Sequence, residues 1–346
     1  MKVTKEYILD KIYEIRKDIG HDPIIINIHD IIYNEEEDEL WIITTDRPDK
    51  SAVIGKGGWV VGKLREDLSI NSIHVESYSD LLTKKYRLNL SLKTLKMFRE
   101  DYPKLNSSLV NLSKLIMDKL NNLYSFDLEK YFNEHDFVES DEHLAVVALS
   151  GGADSCFSLV LAKMLGFNPI AVSVDPGTIV LPKQFKENIE KITNDLSVPQ
   201  VYIPVDYSEI IQESFNGRFH PCGKCSDVIE NEVLKYSIKK NIPLIIFGDM
   251  LSTGSQCITK QYSDNNEILR LNLPACISST KMEHKKLNKN YSLKNMEGFG
   301  CPLLHEVHKK YPFMKKYSIQ RILRETRSGV LEPGEALKLI WSFYKI

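Results

Sequence analysis

The apolar run Leu144-Ala145-Val146-Val147-Ala148-Leu149 passes without a break into Ser150-Gly151-Gly152-Ala153-Asp154-Ser155. Nothing else in the chain limits its fold as strongly. A continuous apolar run that ends in glycine reads as a strand buried on both faces, the pattern of a parallel sheet. Adjacent glycines then permit a tight turn with exposed backbone N–H groups, and the flanking hydroxyls add donors. A helix that opens directly after such a turn points its positive end at the same place, so the segment predicts an anion site. It is not a Walker A loop, because no Gly-Lys-Ser/Thr follows.

The pattern repeats downstream. Ile170-Ala171-Val172-Ser173-Val174, Gln200-Val201-Tyr202-Ile203-Pro204-Val205 and Leu244-Ile245-Ile246-Phe247-Gly248 are further strand-like runs separated by helix-length sequence. An open α/β parallel sheet is expected. Asp175, after the second run, and Gly248-Asp249, after the fourth, would then face the crevice at the carboxyl ends of the strands. The tail from about Glu306 to Trp341 reads as helical.

The first 80 residues form a different unit. Tyr7, Ile8, Ile12, Tyr13 and Ile15 recur at helical spacing, and two β-rich runs, Ile24 to Tyr33 and Leu40 to Thr45, flank the acidic turn 34–39. A glycine turn, Gly55-Lys56-Gly57-Gly58, leads into a helical stretch through Leu68, and a last strand spans 72–77. The order α-β-β-α-α-β with this turn between the inner helices resembles a type II KH domain. That resemblance implies single-stranded nucleic acid as partner, with Gly55, Lys56, Gly57 and Gly58 clamping its backbone. The competing reading is a glycine turn that serves only helix entry. Residues 81–140 are Leu- and Lys-rich, with Leu92, Leu95, Met97 and Phe98 at helical positions, and are read as a helical connector to a catalytic domain at 141–346.

Six cysteines in 346 residues do not make a disulfide scaffold. Cys222-Gly223-Lys224-Cys225 has metal-gripping spacing, and Cys301, in Phe299-Gly300-Cys301-Pro302, could supply a third thiolate. Three readings of this trio stay open: a [4Fe–4S] cluster with one iron free for an exogenous ligand, a zinc ion completed by His220, His305 or His308, and a cluster-free persulfide and disulfide pair. Cys156 reads as a small buried residue. Cys257 and Cys276 have no informative neighbours, and His74 and His143 read as packing or surface residues.

The Ser150–Ser155 segment, placed on a buried strand and opening a helix, resembles the Ser-Gly-Gly-x-Asp-Ser signature of PP-loop ATP pyrophosphatases. These have an adenine nucleotide alpha hydrolase-like fold and cleave ATP between the α and β phosphates to adenylate a substrate oxygen. The resemblance implies pyrophosphate binding by Ser150, Gly151, Gly152 and Ser155, with Asp154 near Mg²⁺ and Asp175, Gly248 and Asp249 at the nucleotide. Ala153 stands where many sulfur-transferring relatives have Lys. A phosphate contact is therefore expected from elsewhere, with Lys183 and Arg270 as candidates.

Over about residues 143–305 the placement of Cys222, Cys225 and Cys301 resembles the tRNA-thiolating TtcA/TtuA-like branch. That branch holds a [4Fe–4S] cluster on three such cysteines. The chain departs from it in having Gly248-Asp249-Met250-Leu251-Ser252-Thr253-Gly254 after the fourth strand, and in lacking terminal zinc-finger cysteines. The implied activity is an ATP-dependent, AMP- and pyrophosphate-forming tRNA sulfurtransferase in which Asp154 and the three cysteines are catalytic. Sulfide or a sulfur-carrier protein would be the donor. The alternatives are a PP-loop ligase or sulfurtransferase acting on a small molecule, and an RNA-binding protein with a vestigial nucleotide site.

Composition agrees with a globular enzyme of two domains: 42% of residues are hydrophobic and 27% charged. No apolar run is long enough to span a bilayer, and the charged N-terminus does not read as a secretory signal, so a cytoplasmic protein with no membrane partner is expected. The net charge of −2 hides basic surpluses of six over residues 81–120 and eight over residues 281–327. Such segments can track a phosphate backbone or can be solvated helix faces. A homodimer is the default assembly.

Overall fold

The computed structural model describes residues 4–124, 126–263, 266–294 and 299–344. The chain divides into two compact units, one within Met1–Tyr86 and Asn122–Ser125, the other within Arg87–Asn121 and Phe126–Ile346.

In the first unit the order is α1 (Lys5–Asp18), β1 (Ile28–Asn34), β2 (Glu39–Thr44), α2 (Arg47–Ile54), α3 (Trp59–Leu68) and β3 (Ser72–Ser77). β1 pairs antiparallel with β2, and β2 pairs parallel with β3. Thr4 caps α1 by accepting from the Tyr7 N–H at 3.3 Å, and Asp46 caps α2 from the Arg47 N–H at 2.7 Å. Such caps satisfy donors that the first helical turn leaves orphaned. Ile8, Ile12 and Ile15 of α1 meet Val60 and Leu64 of α3 over Leu40 and Ile42 of β2, which makes this unit's own core.

A long helix, α4 (Tyr78–Asp101), leads into the second unit, followed by α5 (Asn106–Asn121) and α6 (Leu128–Glu134). α5 packs with the sheet unit: Ser108 and Asn111 donate to the carbonyls of Gly166 and Leu165 at 2.9 and 3.1 Å. The fully buried ammonium of Lys119 is neutralised by Glu283.

The sheet strands are β4 (Ala145–Ala148), β5 (Pro169–Asp175), β6 (Gln200–Pro204), β7 (Leu244–Phe247), β8 (Ile258–Ser263) and β9 (Asn266–Asn272), in the spatial order β6-β5-β4-β7-β9-β8. Five strands are parallel, and β8 runs antiparallel on the edge. The four apolar runs in the sequence are β4 to β7. The β8–β9 pair was not legible because Ile258-Thr259-Lys260-Gln261-Tyr262-Ser263 alternates like an exposed hairpin, which is what an edge strand with one wet face becomes.

The remaining helices are α7 (Ala153–Met164), α8 (Lys183–Asp195), α9 (Ser208–Phe215), α10 (Pro221–Lys239), α11 (Leu273–Cys276), α12 (Lys281–Lys289), α13 (Pro302–Lys310), α14 (Lys315–Arg327) and α15 (Pro333–Ser342). β5 and β6 lie to one side of β4, and β7 and β9 to the other. The connections after β4 and β7 therefore part company, and a crevice opens at their carboxyl ends. Among the described residues no helix is long and apolar enough to cross a membrane.

Candidate active site

The glycine turn sits between the end of β4 and the first turn of α7. Gly151 has φ +73°, and a β-carbon there would lie 2.3 Å from the Phe185 carbonyl oxygen, so only glycine fits against α8. Asn188 secures the turn from the same helix by donating to the Gly151 carbonyl at 3.1 Å. The Ser155 hydroxyl accepts from the Ser150 N–H at 3.1 Å and lies 3.0 Å from the Gly152 carbonyl, which it donates to. The hydroxyls of Ser150 and Ser155 are 3.1 Å apart. Gly248 brings the end of β7 against the turn, where an added β-carbon would meet Ser155 N and Asp154 C at 3.0 Å.

Asp154 is held from a distant part of the chain. The Lys281 ammonium donates to its Oδ2, and His284 Nδ1 lies 2.8 Å from its Oδ1. Burial alone would push this carboxyl up, but the His284 hydrogen bond and the Lys281 charge outweigh it and hold Asp154 well below the usual carboxylate range. Burial lowers the His284 pKa despite Asp154 beside it. Its Nε2 lies 2.8 Å from the Ser279 hydroxyl, which also lies 3.0 Å from the Pro274 carbonyl. Both residues come from the start of α12, whose Thr280–Glu283 capping box fixes where the helix begins. Asn288, a turn later, donates to the Ala153 carbonyl at 2.7 Å. Sequence reasoning missed Lys281 and His284. The only signal was the Thr-x-x-Glu box ahead of them, which marks a helix start and says nothing of its neighbours.

Neither cation expected in place of a lysine at position 153 is free at the turn. The Lys183 side chain is 89% exposed, 3.9 Å from Glu187. Arg270 is engaged by Glu230 at 2.6 and 3.3 Å and lies over the Phe247 ring.

A cavity of about 690 Å³ opens from the turn, within the size range of small-molecule sites. Its lining includes Ser150, Asp154, Ser155, Gly248, Asp249 and Arg270 together with Cys222, His220 and the α14 residues Tyr317, Arg321 and Arg324. Asp175 is not among the lining residues. Its carboxylate accepts from Lys186 at 2.5 Å and from the Gly177 N–H at 3.0 Å. Burial opposes ionisation there, but those two donors lower its pKa. Asp249 accepts from the Ser252 hydroxyl at 3.2 Å.

Cys222 and Cys225 occupy the first turn of α10, and Cys301 is the N-cap residue of α13. Burial pushes the Cys222 thiol up to about 11, with Cys301 raising it further and Arg321 opposing. Burial pushes Cys225 up to about 12, with Cys222 and Cys301 adding to the shift. Burial also raises Cys301. Cys222 and Cys225 thus respond to the charge of neighbouring sulfurs, and a bound cation would favour the thiolates that burial disfavours. Three soft donors at two helix N-termini fit a thiophilic metal or cluster in kind. Among the described residues, however, no three His, Cys, Asp or Glu side chains stand in a group that could hold a metal ion as placed. Only Cys222 of the trio lines the cavity.

The histidines considered for zinc are engaged elsewhere. His305 Nε2 lies 3.0 Å from the Phe299 carbonyl, and the Ser318 hydroxyl sits between His220 and His308 at 3.4 and 3.3 Å. Cys156 is fully buried, its thiol raised to about 12 by burial. Cys257 and Cys276 are also buried, with Cys257 bonded to the Ser91 hydroxyl at 3.4 Å.

In the first unit, Gly55, Lys56, Gly57 and Gly58 form the link between α2 and α3. Gly55 is required for packing, since a β-carbon would lie 2.3 Å from Val60 Cγ2. Gly57 and Gly58 have φ of +66° and +81°; a β-carbon at Gly57 would lie 3.7 Å from Trp59 Cδ1, one at Gly58 would meet open space, and Trp59 is 70% exposed.

No protein-family model matches the chain. Over 40% of its length it is 25% identical to the tRNA-specific 2-thiouridylase MnmA of Lactobacillus gasseri, spanning 38% of that protein. It also resembles the structure of the U34-tRNA thiolase NcsA from Methanococcus maripaludis with its [4Fe-4S] cluster, at 15% identity and a TM-score of 0.39, over 64% of this chain and 81% of that one. Over 57% of its length it is 37% identical to the uncharacterized protein MJ1638 of Methanocaldococcus jannaschii, covering 73% of that protein. The chain belongs to the family of MJ1638.

Proposed function

We propose that the protein is an ATP-dependent sulfurtransferase of PP-loop type that adenylates a base in tRNA and replaces its oxygen or amine by sulfur. The observation that carries this reading is a single cavity lined by both Ser150, Asp154 and Ser155 and by the thiol of Cys222. The likeness to a tRNA 2-thiouridylase over 147 residues supports the same substrate class.

In this account the N–H groups of the glycine turn and the hydroxyls of Ser150 and Ser155 hold the pyrophosphate part of ATP. Asp154 is the carboxylate that would hold Mg²⁺, which would supply charge to the phosphates when bound, and Lys281 and His284 hold that carboxylate in place. Fixed positive charge aimed at the leaving pyrophosphate stabilises the charge that develops as the α–β bond breaks. The substrate oxygen forms the new bond to the α-phosphorus, pyrophosphate departs, and the base becomes an AMP ester. A sulfide sulfur then bonds to the activated carbon and AMP leaves.

Cys222, Cys225 and Cys301 are the residues that would hold a [4Fe–4S] cluster. Bound there, it would supply an iron open to sulfide. Without a cluster, Cys222 is the thiol placed to carry persulfide sulfur into the cavity, with Cys225 as its resolving partner. Gly57 and Gly58, open to solvent beside Lys56, are the proposed contacts to the RNA backbone.

The test is pyrophosphate release from ATP by anaerobically prepared protein, with and without tRNA. Release that depends on tRNA and is lost in Asp154→Asn supports the reading. Release that a small molecule stimulates equally in the absence of tRNA refutes the RNA substrate.

A further inference from the structure

One helix among those that line the cavity is strongly cationic. α14 reads Lys-Lys-Tyr-Ser-Ile-Gln-Arg-Ile-Leu-Arg-Glu-Thr-Arg, with five cations against one acid, Glu325, which is only 5% exposed. Tyr317, Arg321 and Arg324 recur at four- and three-residue spacing, so they share one stripe, and all three line the cavity.

The stripe keeps exposed surface beside its internal contacts, in which Arg321 lies over the Phe299 ring at 5.8 Å and Lys316 over the Tyr317 ring at 5.0 Å. Arg321 makes a 3.3 Å contact from Nε to Glu325 and keeps a side chain that is 53% exposed. Among the described residues Arg324 has no ion-pair partner. Tyr317 is 44% exposed, with one ring edge toward His220. The glycine turn, with its own N–H donors, is the part of the lining read as the pyrophosphate site. A second cationic face with an aromatic ring between helical arginines therefore serves another anionic group. Guanidinium groups spaced along a helix beside an exposed ring match a polynucleotide, which carries regularly spaced phosphates and bases with π-faces.

We propose that Tyr317, Arg321 and Arg324 form the acceptor-nucleotide wall, in which the two arginines take phosphates flanking the nucleotide to be modified and Tyr317 stacks on a base. This rests on the reading of the substrate as RNA, and it locates on α14 the contacts that deliver the base to the side of the cavity where Cys222 lies. The two-residue arginine contact contributes affinity through counterion release, while the ring contributes a contact insensitive to salt.

The experiment is a fluorescence-anisotropy titration of a fluorescein-labelled tRNA transcript at several salt concentrations. It compares wild-type protein with Arg321→Gln/Arg324→Gln, Tyr317→Ala and the remote control Lys239→Gln/Lys240→Gln at the exposed end of α10, after circular dichroism shows that each is folded. The double arginine variant is expected to bind at least about tenfold more weakly at low salt, with the log–log salt slope shallower by about 2. Tyr317→Ala is expected to lose about tenfold with the slope unchanged. The remote control is expected to match wild type. Unchanged affinity in the α14 variants, or an equal loss in the remote control, overturns the wall while leaving the RNA reading intact. No tRNA binding by wild type overturns both. Arg321→Lys/Arg324→Lys restores the slope if charge is the contribution, and failure to restore it contradicts the phosphate role.

Discussion

Lys281 and Asp154 form an ion pair across 127 residues of chain, and the pair sits on the first turn of α7 beside the glycine turn. It supplies a cation at the place where Ala153 cannot. If the proposed chemistry is right, removing Lys281 removes a charge aimed at the leaving group, while His284 still hydrogen-bonds Asp154. Lys281→Ala should keep its fold and lose pyrophosphate release by roughly 100-fold or more, the usual scale for one preorganised donor. Activity within a few-fold of wild type in a steady-state assay would remove Lys281 from the site.

Gly151 is the least replaceable residue of the turn. A β-carbon at Gly151 meets the Phe185 carbonyl oxygen at 2.3 Å with φ at +73°. Gly151→Ala should destabilise the protein by at least about 3 kcal/mol through strain and overlap combined. Gly248→Ala, with contacts of 3.0 Å or slightly more, should cost about 1–3 kcal/mol. Urea denaturation of both variants checks the ranking, and a reversed order would mean that the turn relaxes away from α8.

His308 should make stability depend on pH below neutrality. It is 3% exposed, and burial, with smaller contributions from His220, His305 and Lys315, lowers its pKa to about 4. The folded form stays neutral while the unfolded chain takes up a proton near pH 6.5, so the unfolded state binds more protons between those values and stability rises with pH. From pH 6.5 down to about 4 the group should cost up to about 3 kcal/mol, with no further loss from it at lower pH. The difference in denaturation free energy between wild type and His308→Leu should narrow or reverse across that window. Parallel profiles would show that His308 is protonated in the fold.

A β-carbon at Gly57 would meet Trp59 Cδ1 at an ordinary 3.7 Å, so a charge placed there should act mainly on the ligand. Gly57→Asp should weaken tRNA binding by about tenfold by setting a carboxylate against phosphate, with a stability loss of about 1 kcal/mol from the left-handed backbone, which Gly57→Ala should share without the loss of binding. Unaltered affinity would leave the turn as a helix junction.

The Ser150–Ser155 turn was legible because the features that announce it are local, a buried strand, two glycines and a helix start within a dozen residues, although α8, α12 and Gly248 secure it from afar. The approach of Cys222 to that crevice was legible in outline, since α10 must return to the sheet before β7. What could not be read was which of the many lysines after residue 280 turns inward. Lys281 and Lys285 lie on the same short helix, yet one holds Asp154 and the other Glu335 near the surface. A Lys-rich helix reads alike in both cases, because only tertiary packing decides which cation meets a buried carboxylate. Asp175 shows the opposite limit. Its position at a strand end pointed to the crevice, but Lys186, eleven residues on, ties it to α8.

The proposed function requires a nucleotide-activating turn and a sulfur-handling thiol that serve one cavity. Mass spectrometry of nucleosides, after incubating unmodified tRNA with ATP, sulfide and anaerobic protein, tests this most directly. A thiolated nucleoside should form with wild type, require ATP, and vanish in both Asp154→Asn and Cys222→Ala. Undiminished thiolation in Cys222→Ala, or pyrophosphate release with no sulfur ever entering the RNA, would contradict it.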